Sequence, residues 1–560
     1  MIALTPAAAL TSSVRYTSQA RADVSCALTT GPRSASLYLT SCNRRLGETP
    51  QARRGSSALT AQCQSPTIEA EMAVADGSAV KQSRSGSRAI VVGGGLAGLA
   101  SARVLSDVFD EVILLERDAI TQQDGNHKRG GVPQFSQPHV MLVGGMQHCE
   151  ELFPRFQERL LAAGGQAVDW LRDCRVFDFG NYMETLPESA SSPTQSVGAT
   201  RKLMEEVARE SVKALPNVTM RAGSWVSGLK LAEAHARIQG VTLKSGEEVA
   251  ADFVVDASGR SSQLPQWLDA VGVTPPRAQC ISAGLGYGSR TYAMPENWFQ
   301  QKGWKAAMCS PRPASGRQGM LLPVEGERWQ LILTGLAGDH PPTDEEGYLE
   351  FARSLPSPEI YDALTQAEAL GPVHVFNRTE NVKRSYGQVD LPQGLCVLGD
   401  AATCFNPIYG QGMTVGIKGA ILLRDTLQKR LQGRKFTPAE ASSVLSGFSK
   451  DYQTELSKLQ EFPWTVATGD DEKHLRALGK LPPKESSRAE AFVNWYFMQA
   501  VRLAMKDVQV RTGLAVVNHM LESPAALFQP LIAFKVFSLA LQDALVQLRE
   551  KLQGRQVQRA

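Results

Sequence analysis

The chain has 560 residues, 43% hydrophobic and 21% charged, with a formal net charge of +3. That is enough chain to bury a large core over two or three domains, and the balance excludes a fibrous or wholly disordered protein. With no basic stripe carrying interleaved aromatics, no run of 18 uncharged apolar residues and no C-x-x-C pair among nine cysteines, nucleic-acid binding, a membrane-spanning helix and a zinc or disulfide framework are not expected.

Residues 1–87 differ in composition from the rest of the chain. They are rich in Ala, Ser, Thr and Arg, and Asp23 and Glu48 are the only acids in the first 60 residues. The charged start and long apolar stretch of a secretory signal are absent. The first 14 residues are uncharged, and Arg15, Arg21 and Arg33 come later. The segment reads as a transit peptide and disordered linker, addressed to the chloroplast with the mitochondrion as alternative. Processing is expected between about Ala27 and Val80. The competing reading is a disordered tail with no address.

The stretch 88–117 is the one around which the remaining motifs are organised. Arg88 to Val92 is a short apolar β-branched run, expected as a buried parallel strand. Gly93, Gly95 and Gly98 have G-x-G-x-x-G spacing. Leu99, Ala102, Leu105 and Val108 then recur at helical spacing, and a second apolar strand ends at Glu116. The first glycine permits a tight turn, the second lets backbone N–H groups approach a pyrophosphate, and the third lets helix and strand pack closely. The helix N-terminus offers unpaired N–H groups and positive potential to phosphates. Glu116 is placed to accept ribose hydroxyls. With 48 glycines, the bare motif should arise by chance roughly 0.35 times in such a chain. Its setting between two strands, with an acid at the right distance, is what makes it specific for a dinucleotide.

A loop over 118–131 leads into a helix expected from about Pro138 to Phe153. Arg129 there is either a phosphate or flavin contact or a solvated arginine, and His139 stands on a mixed face. Residues 200–215 read as an amphipathic helix. Arg201 lies at its N-terminus, where a cation is misplaced unless it faces an anion. Residues 252–260 (DFVVDASGR) run as a strand into Asp256, at the edge where an open α/β sheet binds its ligand. From about 280 to 382 short apolar runs alternate with turns, which reads as an antiparallel sheet able to wall a substrate pocket. Residues 383–434 return to the first style. A buried strand ends in Gly399-Asp400, and the loop Pro407-Ile-Tyr-Gly410-Gln-Gly412-Met413 opens a helix. An acid there can bind polyol hydroxyls, and the N–H groups of the glycine turn can face a carbonyl or developing anion. Residues 435–560 read as helical, with a loop over 464–483 dividing two blocks. The last block is very apolar. Its expected use is packing on the first domain or on a second subunit; the alternative is a surface resting on a membrane.

In order along the chain, GGGLAG (93–98), DASGR (256–260) and GDAATCFNPIYGQGM (399–413) resemble the flavin-dependent monooxygenases of the p-hydroxybenzoate hydroxylase type and their relatives. Across about 88–551 the chain resembles a less characterised, mostly bacterial branch, through RGGVPQ (129–134) and Asn494-Trp495-Tyr496. The resemblance implies an α/β fold. A Rossmann-like, glutathione reductase-type FAD-binding domain (88–279 and 383–434) would carry an antiparallel β substrate domain (280–382) and a helical C-terminal region (435–560). It implies extended FAD held by Gly93, Gly95, Gly98, Glu116, Arg129, Arg201, Asp256, Gly399, Asp400, Pro407, Gly410, Gly412 and Met413. It implies O2 as co-substrate, NAD(P)H or an external reductase as electron donor, and an apolar or aromatic substrate hydroxylated or epoxidised through a flavin C4a-hydroperoxide. It points to no metal and names no catalytic acid or base.

Two departures qualify this. Asp256-Ala-Ser-Gly259 looks more like flavin halogenases, geranylgeranyl reductases and lycopene cyclases than like simple aromatic hydroxylases. This leaves direct NADPH use open and makes an isoprenoid reductase or cyclase the alternative. The related branch often has Arg-His where this chain has Ser136-Gln137, so only His139 carries over. The halogenase W-x-W-x-I-P signature is absent. A non-catalytic binder on the same fold would have broken glycine or Gly-Asp motifs, and here both are intact.

Overall fold

The computed structural model describes residues 86–119, 139–178, 180–232, 237–310, 316–477, 479–484 and 487–557. The leader and Arg129 lie outside the described residues.

Five parallel strands form the central sheet, in the order Leu395–Val397, Phe253–Asp256, Arg88–Val92, Glu111–Leu115, Val218–Arg221. Ala89, Ile90 and Val91 are fully buried, as a strand covered on both faces requires. Val92 pairs with Asp256, and Asp256 with Val397. That register brings the glycine turn, the DASGR segment and the Gly399–Asp400 segment out at one edge of one sheet. The helices Leu96–Ser106 and Gln411–Leu431 start at that edge and pack against each other. Small residues make the approach possible, since a Cβ on Gly399 or Gly416 would stand 3.1 Å from the Ala97 methyl.

The second large sheet has seven strands, ordered His374–Phe376, Gly286–Ala293, Arg328–Gly335, Gln318–Val324, Ala306–Cys309, Cys174–Asp178, Asn181–Tyr182. Its pairs are antiparallel except that Ala306–Cys309 lies parallel to Cys174–Asp178. The sheet therefore draws two strands from upstream of residue 280. One face packs on Trp298, Trp304, Tyr348 and Phe351.

Residues 441–557 are mostly helical. The loop expected over 464–483 is absent from most of that range, because Phe448–Ala477 is one helix with Pro463 inside it. Pro463 removes one helical hydrogen bond, but Trp464, Val466 and Ala467 beside it are buried in the C-terminal core, and that packing carries the helix through. Arg488–Ala504 opens with a capping box between Ser487 and Glu490. The same core takes in Phe405, Tyr409 and Val415, so the C-terminal helices pack directly on the loop that opens the helix Gln411–Leu431.

The last helix, Pro530–Val557, buries only part of its surface there, mainly Ile532 and Val536. Leu531, Phe534, Phe537, Leu541 and Leu545 are exposed, beside exposed Phe492, Trp495, Met498 and Phe528. Phe537 touches the rings of Phe492 and Trp495, but the outer side of this face is not covered by the FAD-binding domain among the described residues, so of the two expected kinds of packing only that on a second subunit is left for it. Pro530–Gln547 is also long and apolar enough to cross a membrane by length and composition, a segment that a search for uncharged runs does not find. The two charges in it are satisfied internally. Lys535 pairs with Asp507 at 2.7 Å, and Asp543 with Arg502 at 2.8 Å.

Candidate active site

The glycine turn follows from steric demands at named atoms. Gly93 has φ +102°, and a Cβ there would stand 2.6 Å from the Ala257 carbonyl oxygen. A Cβ on Gly98 would meet the Gly93 carbonyl oxygen at 1.9 Å. Gly95 differs. A Cβ there would meet nothing closer than the Arg201 guanidinium at 3.7 Å, so its face opens on free space. That space, at the first turn of Leu96–Ser106, is the cradle a pyrophosphate needs.

Arg201 is aimed there by a buried acid. Its Nε donates to Glu205 Oε1 at 2.9 Å, and Arg209 approaches the other oxygen of this fully buried carboxylate at 3.4 Å. Glu205 answers why a cation sits in the first turn of Arg201–Lys213. Its partner is one helical turn on, and its guanidinium flanks an anion cradle. Glu116, also buried, accepts from Gly94 N–H at 2.7 Å and Asp118 N–H at 2.9 Å. Beyond it lie Trp225 and Arg117, whose guanidinium carbon stands 5.4 Å from the indole centroid.

Gly399 (φ +61°) and Asp400 form a short 3-10 turn after the strand Leu395–Val397. Arg384 ties it down, donating to the Asp400, Ala401 and Arg260 carbonyls. The Asp400 carboxylate lies 3.7 Å from where a Gly412 Cβ would be. The loop Pro407–Tyr409 is pinned from behind. Asn406 N–H donates to Asn381 Oδ1 at 2.6 Å, and the Asn381 amide donates to the buried Asp471 carboxylate at 2.8 Å. Asp471 comes from Phe448–Ala477, so a C-terminal helix sets the position of this loop.

One cavity of about 400 Å³ joins these parts. Gly93, Gly95, Glu116, Arg201, Gly399, Asp400, Pro407, Gly410, Gly412 and Met413 all line it. Gly98 and Asp256 do not. Gly98 serves helix–strand packing. Asp256 is buried, with Oδ1 accepting from the Ser258 N–H and hydroxyl and Oδ2 from the Ser262 hydroxyl. Burial raises its pKa against those bonds. It shapes the DASGR turn from behind. His139 lines the cavity.

Away from the sheet edge the cavity wall is apolar, with Val176, Met183, Met308, Met320, Ile332 and Phe376. Sequence reading does not find Trp225, Trp170, Ala515, Asn518 or His519, which also line it. Ala515, Asn518 and His519 lie more than 100 residues beyond the loop that ends at Met413 and carry no local signature. Buried hydroxyl and amide oxygens of Tyr287, Thr334 and Gln411 at the cavity have no hydrogen-bond partner among the described residues. An elongated cofactor and a ligand with a few polar atoms would satisfy such groups.

Fold and cavity together define a flavoprotein: a Rossmann-like domain whose dinucleotide crevice opens onto an antiparallel substrate wall. Residues 87–437 match the family model described as FAD binding domain, and the chain belongs to that family. It is an FAD-dependent oxidoreductase of the p-hydroxybenzoate hydroxylase-like monooxygenase superfamily. It is 30% identical over 359 residues to Protein Rv3254 of Mycobacterium tuberculosis, covering 62% of this chain and 74% of that one. It is 26% identical over 376 residues to Squalene epoxidase 3 of Arabidopsis thaliana, covering 65% of this chain and 64% of the relative, just under two thirds of its length. Ubiquinone hydroxylase UbiL of Rhodospirillum rubrum is 23% identical over 60% of this chain and 71% of its own. The solved structure of Pseudomonas aeruginosa PqsL with 2-aminobenzoylacetate superposes with a TM-score of 0.50 at 16% identity, over 70% of this chain and 99% of that one. That likeness is one of fold.

Proposed function

We propose that the protein inserts one atom of O2 into an apolar or aromatic small molecule, as a hydroxylase or epoxidase. The observation that carries this reading is the single cavity running from the phosphate cradle to a wall of Met308, Met320, Ile332 and Phe376. Relatives named squalene epoxidase and ubiquinone hydroxylase support it. FAD, when bound, supplies the activation of oxygen. The chain's own residues bind and orient. The 21-residue helix Gln411–Leu431 has no acid in its first turn, so Gly412 and Met413 would hold the flavin at a helix N-terminus whose N–H groups and dipole favour negative charge on it. The apolar wall excludes water and seats the substrate. Oxygen-18 incorporation from 18O2 tests the reaction; turnover in the absence of O2 refutes it. The DASG stretch supports a second reading, an isoprenoid reductase or cyclase, which anaerobic turnover would establish. Substrate-stimulated oxidation of NADPH or NADH, with and without an added reductase, identifies the electron donor.

The exposed face built from the helices Arg488–Ala504 and Pro530–Val557 is, in this proposal, a docking surface for an anionic bilayer. Its aromatic and aliphatic side chains are contiguous, its internal charges are paired, and the chain continues with Arg549, Lys551, Arg555 and Arg559 against one acid, Glu550. Flotation with anionic liposomes is expected, and Phe534→Glu/Leu541→Glu should abolish it. A concentration-dependent dimer lost in the same variant, with no flotation, would assign the face to a second copy instead. The leader's composition supports import into chloroplasts. The N-terminal sequence of the native protein tests this, and an intact Met1 refutes it.

A further inference from the structure

His519 stands at the end of the helix Val508–Asn518, outside every motif of the family, and is doubly engaged with the start of the helix Val143–Leu152. Its Nδ1 accepts from Val143 N–H at 3.3 Å, and its carbonyl oxygen accepts from Gly144 N–H at 2.9 Å. The two donors are the first two residues of that helix, whose N-cap, Leu142, has no side chain able to cap it. His519 thus acts as a cap supplied from another part of the chain. The fit is close. A Cβ on Gly144 would meet the Met520 and His519 carbonyl oxygens at 2.6 and 2.8 Å. Met520 sits at φ +56°, with its carbonyl held by Lys418 Nζ at 3.0 Å. The Trp170 ring, 6.2 Å away and tilted 33°, flanks the imidazole.

This geometry decides the proton. A backbone N–H can only donate, so Nδ1 carries the lone pair and Nε2 carries the hydrogen. The imidazolium is disfavoured, because it would lose the Val143 bond and set a positive charge on a helix N-terminus. Burial acts the same way and lowers the pKa to about 4. Nε2 has no partner among the described residues, and His519 lines the cavity.

We propose that His519 is a specificity-determining residue: a neutral imidazole whose Nε2–H donates a hydrogen bond to an oxygen of the substrate. The substrate class then narrows to an apolar body carrying a carbonyl, quinone or hydroxyl oxygen at the end that reaches the helix Val508–Asn518. The inference rests on the monooxygenase reading for the fate of the substrate, not for its binding.

The test uses the flavin-loaded protein without reductant, so binding is read with no turnover. Affinities for 1-tetralone and for tetralin, which differ by one carbonyl oxygen, are measured by calorimetry. Two variants separate the roles of the ring. His519→Asn keeps an acceptor near the Nδ1 position and loses the donor; His519→Gln places an amide N–H near Nε2 and loses the acceptor. The ratio of tetralone to tetralin affinity should fall about tenfold in His519→Asn, as expected for one lost hydrogen bond, and stay within about threefold of the wild type in His519→Gln. Thermal stability should show the reverse, nearly unchanged in Asn and lowered in Gln. An unchanged ratio in His519→Asn, or no measurable binding of either probe by the wild-type protein, overturns the proposal. If the proposal fails while 18O2 is still incorporated, the monooxygenase reading stands without it. If selectivity holds with no oxygen incorporated, the reverse applies.

Discussion

Gly95 and Gly98 stand three residues apart in one motif, yet their substitutions by alanine should fail differently. At Gly98 the new methyl would lie 1.9 Å from the Gly93 carbonyl oxygen. Even the tightest tolerated contact, about 3.0 Å, requires the helix Leu96–Ser106 to retreat by about 1.1 Å. Leu96, Leu99, Ala100 and Ala102 on that helix are almost wholly buried, so the retreat opens packing on a sheet face. Overpacking of this kind costs about 1–3 kcal/mol. It also carries the helix's first N–H groups out of reach of the phosphates. Losing two charge-assisted bonds at about 1.5 kcal/mol each would weaken FAD by about two orders of magnitude. At Gly95 the methyl meets no protein atom within 3.7 Å, and the backbone (φ −77°, ψ 178°) suits any residue. The apoprotein should then keep its stability while the methyl occupies the cradle, so affinity alone falls, again by about 100-fold. The assay is FAD titration of each apoprotein by flavin fluorescence, paired with thermal melts without cofactor. Gly98→Ala should lose both affinity and Tm, Gly95→Ala affinity only. If Gly98→Ala binds FAD and melts like the wild type, or if Gly95→Ala keeps wild-type affinity, the assignment of cradle and packing roles is wrong.

His519 titrates near 6.5 when unfolded and about 4 when folded, so the unfolded state binds more protons between those values. Stability is therefore full above about pH 6.5 and falls as pH drops toward 4, by up to about 3 kcal/mol. His148, lowered by burial, adds the same sign. Urea midpoints at pH 7 and 4.5 should converge in His519→Asn, and an equal acid loss in the variant would contradict the linkage. Arg511 is fully buried and donates to the Ala504, Met505 and Thr185 carbonyls. Arg511→Met strands those acceptors and should lower stability by about 2–4 kcal/mol in chemical denaturation. Asp471→Asn leaves the Asn381 and Asn406 amides facing another amide. It should loosen the Pro407–Tyr409 loop, seen as a several-fold faster release of FAD in stopped-flow fluorescence. Among the six described cysteines only Cys280 is exposed; burial holds the Cys174 and Cys404 thiols up near 12. Alkylation of the native protein, mapped by mass spectrometry, should mark Cys280 first among these six.

Much of the site is readable in the chain because each motif encodes a local backbone necessity. A glycine at φ +102°, a glycine under a carbonyl oxygen and an acid at a strand end leave marks at short spacing. Arg201 stands out for its odd place at a helix start, but its reason, the buried Glu205 a turn later, needs the packed helix to show. Asp256 reads as a ligand contact from its strand-end position. The fold turns its carboxylate onto Ser258 and Ser262 instead, a choice of rotamer and turn that no spacing records. The break expected over 464–483 does fall at Pro482 and Pro483, but it starts later than expected, because tertiary burial of Trp464 and Ala467 carries the helix on to Ala477.

By itself, the sequence determined the parallel sheet, the dinucleotide turn and the flavoprotein class, because hydrophobic period, glycine sterics and strand-end acids act within a few residues of each other. Only the tertiary structure decided which distant segments share the cavity. The in-register edge of Val92, Asp256 and Val397 gathers three motifs at one place, and the packing of the C-terminal helices brings His519 onto a helix some 376 residues upstream. Those contacts arise from burial of apolar surface, which is non-directional and leaves no short-range pattern in the chain.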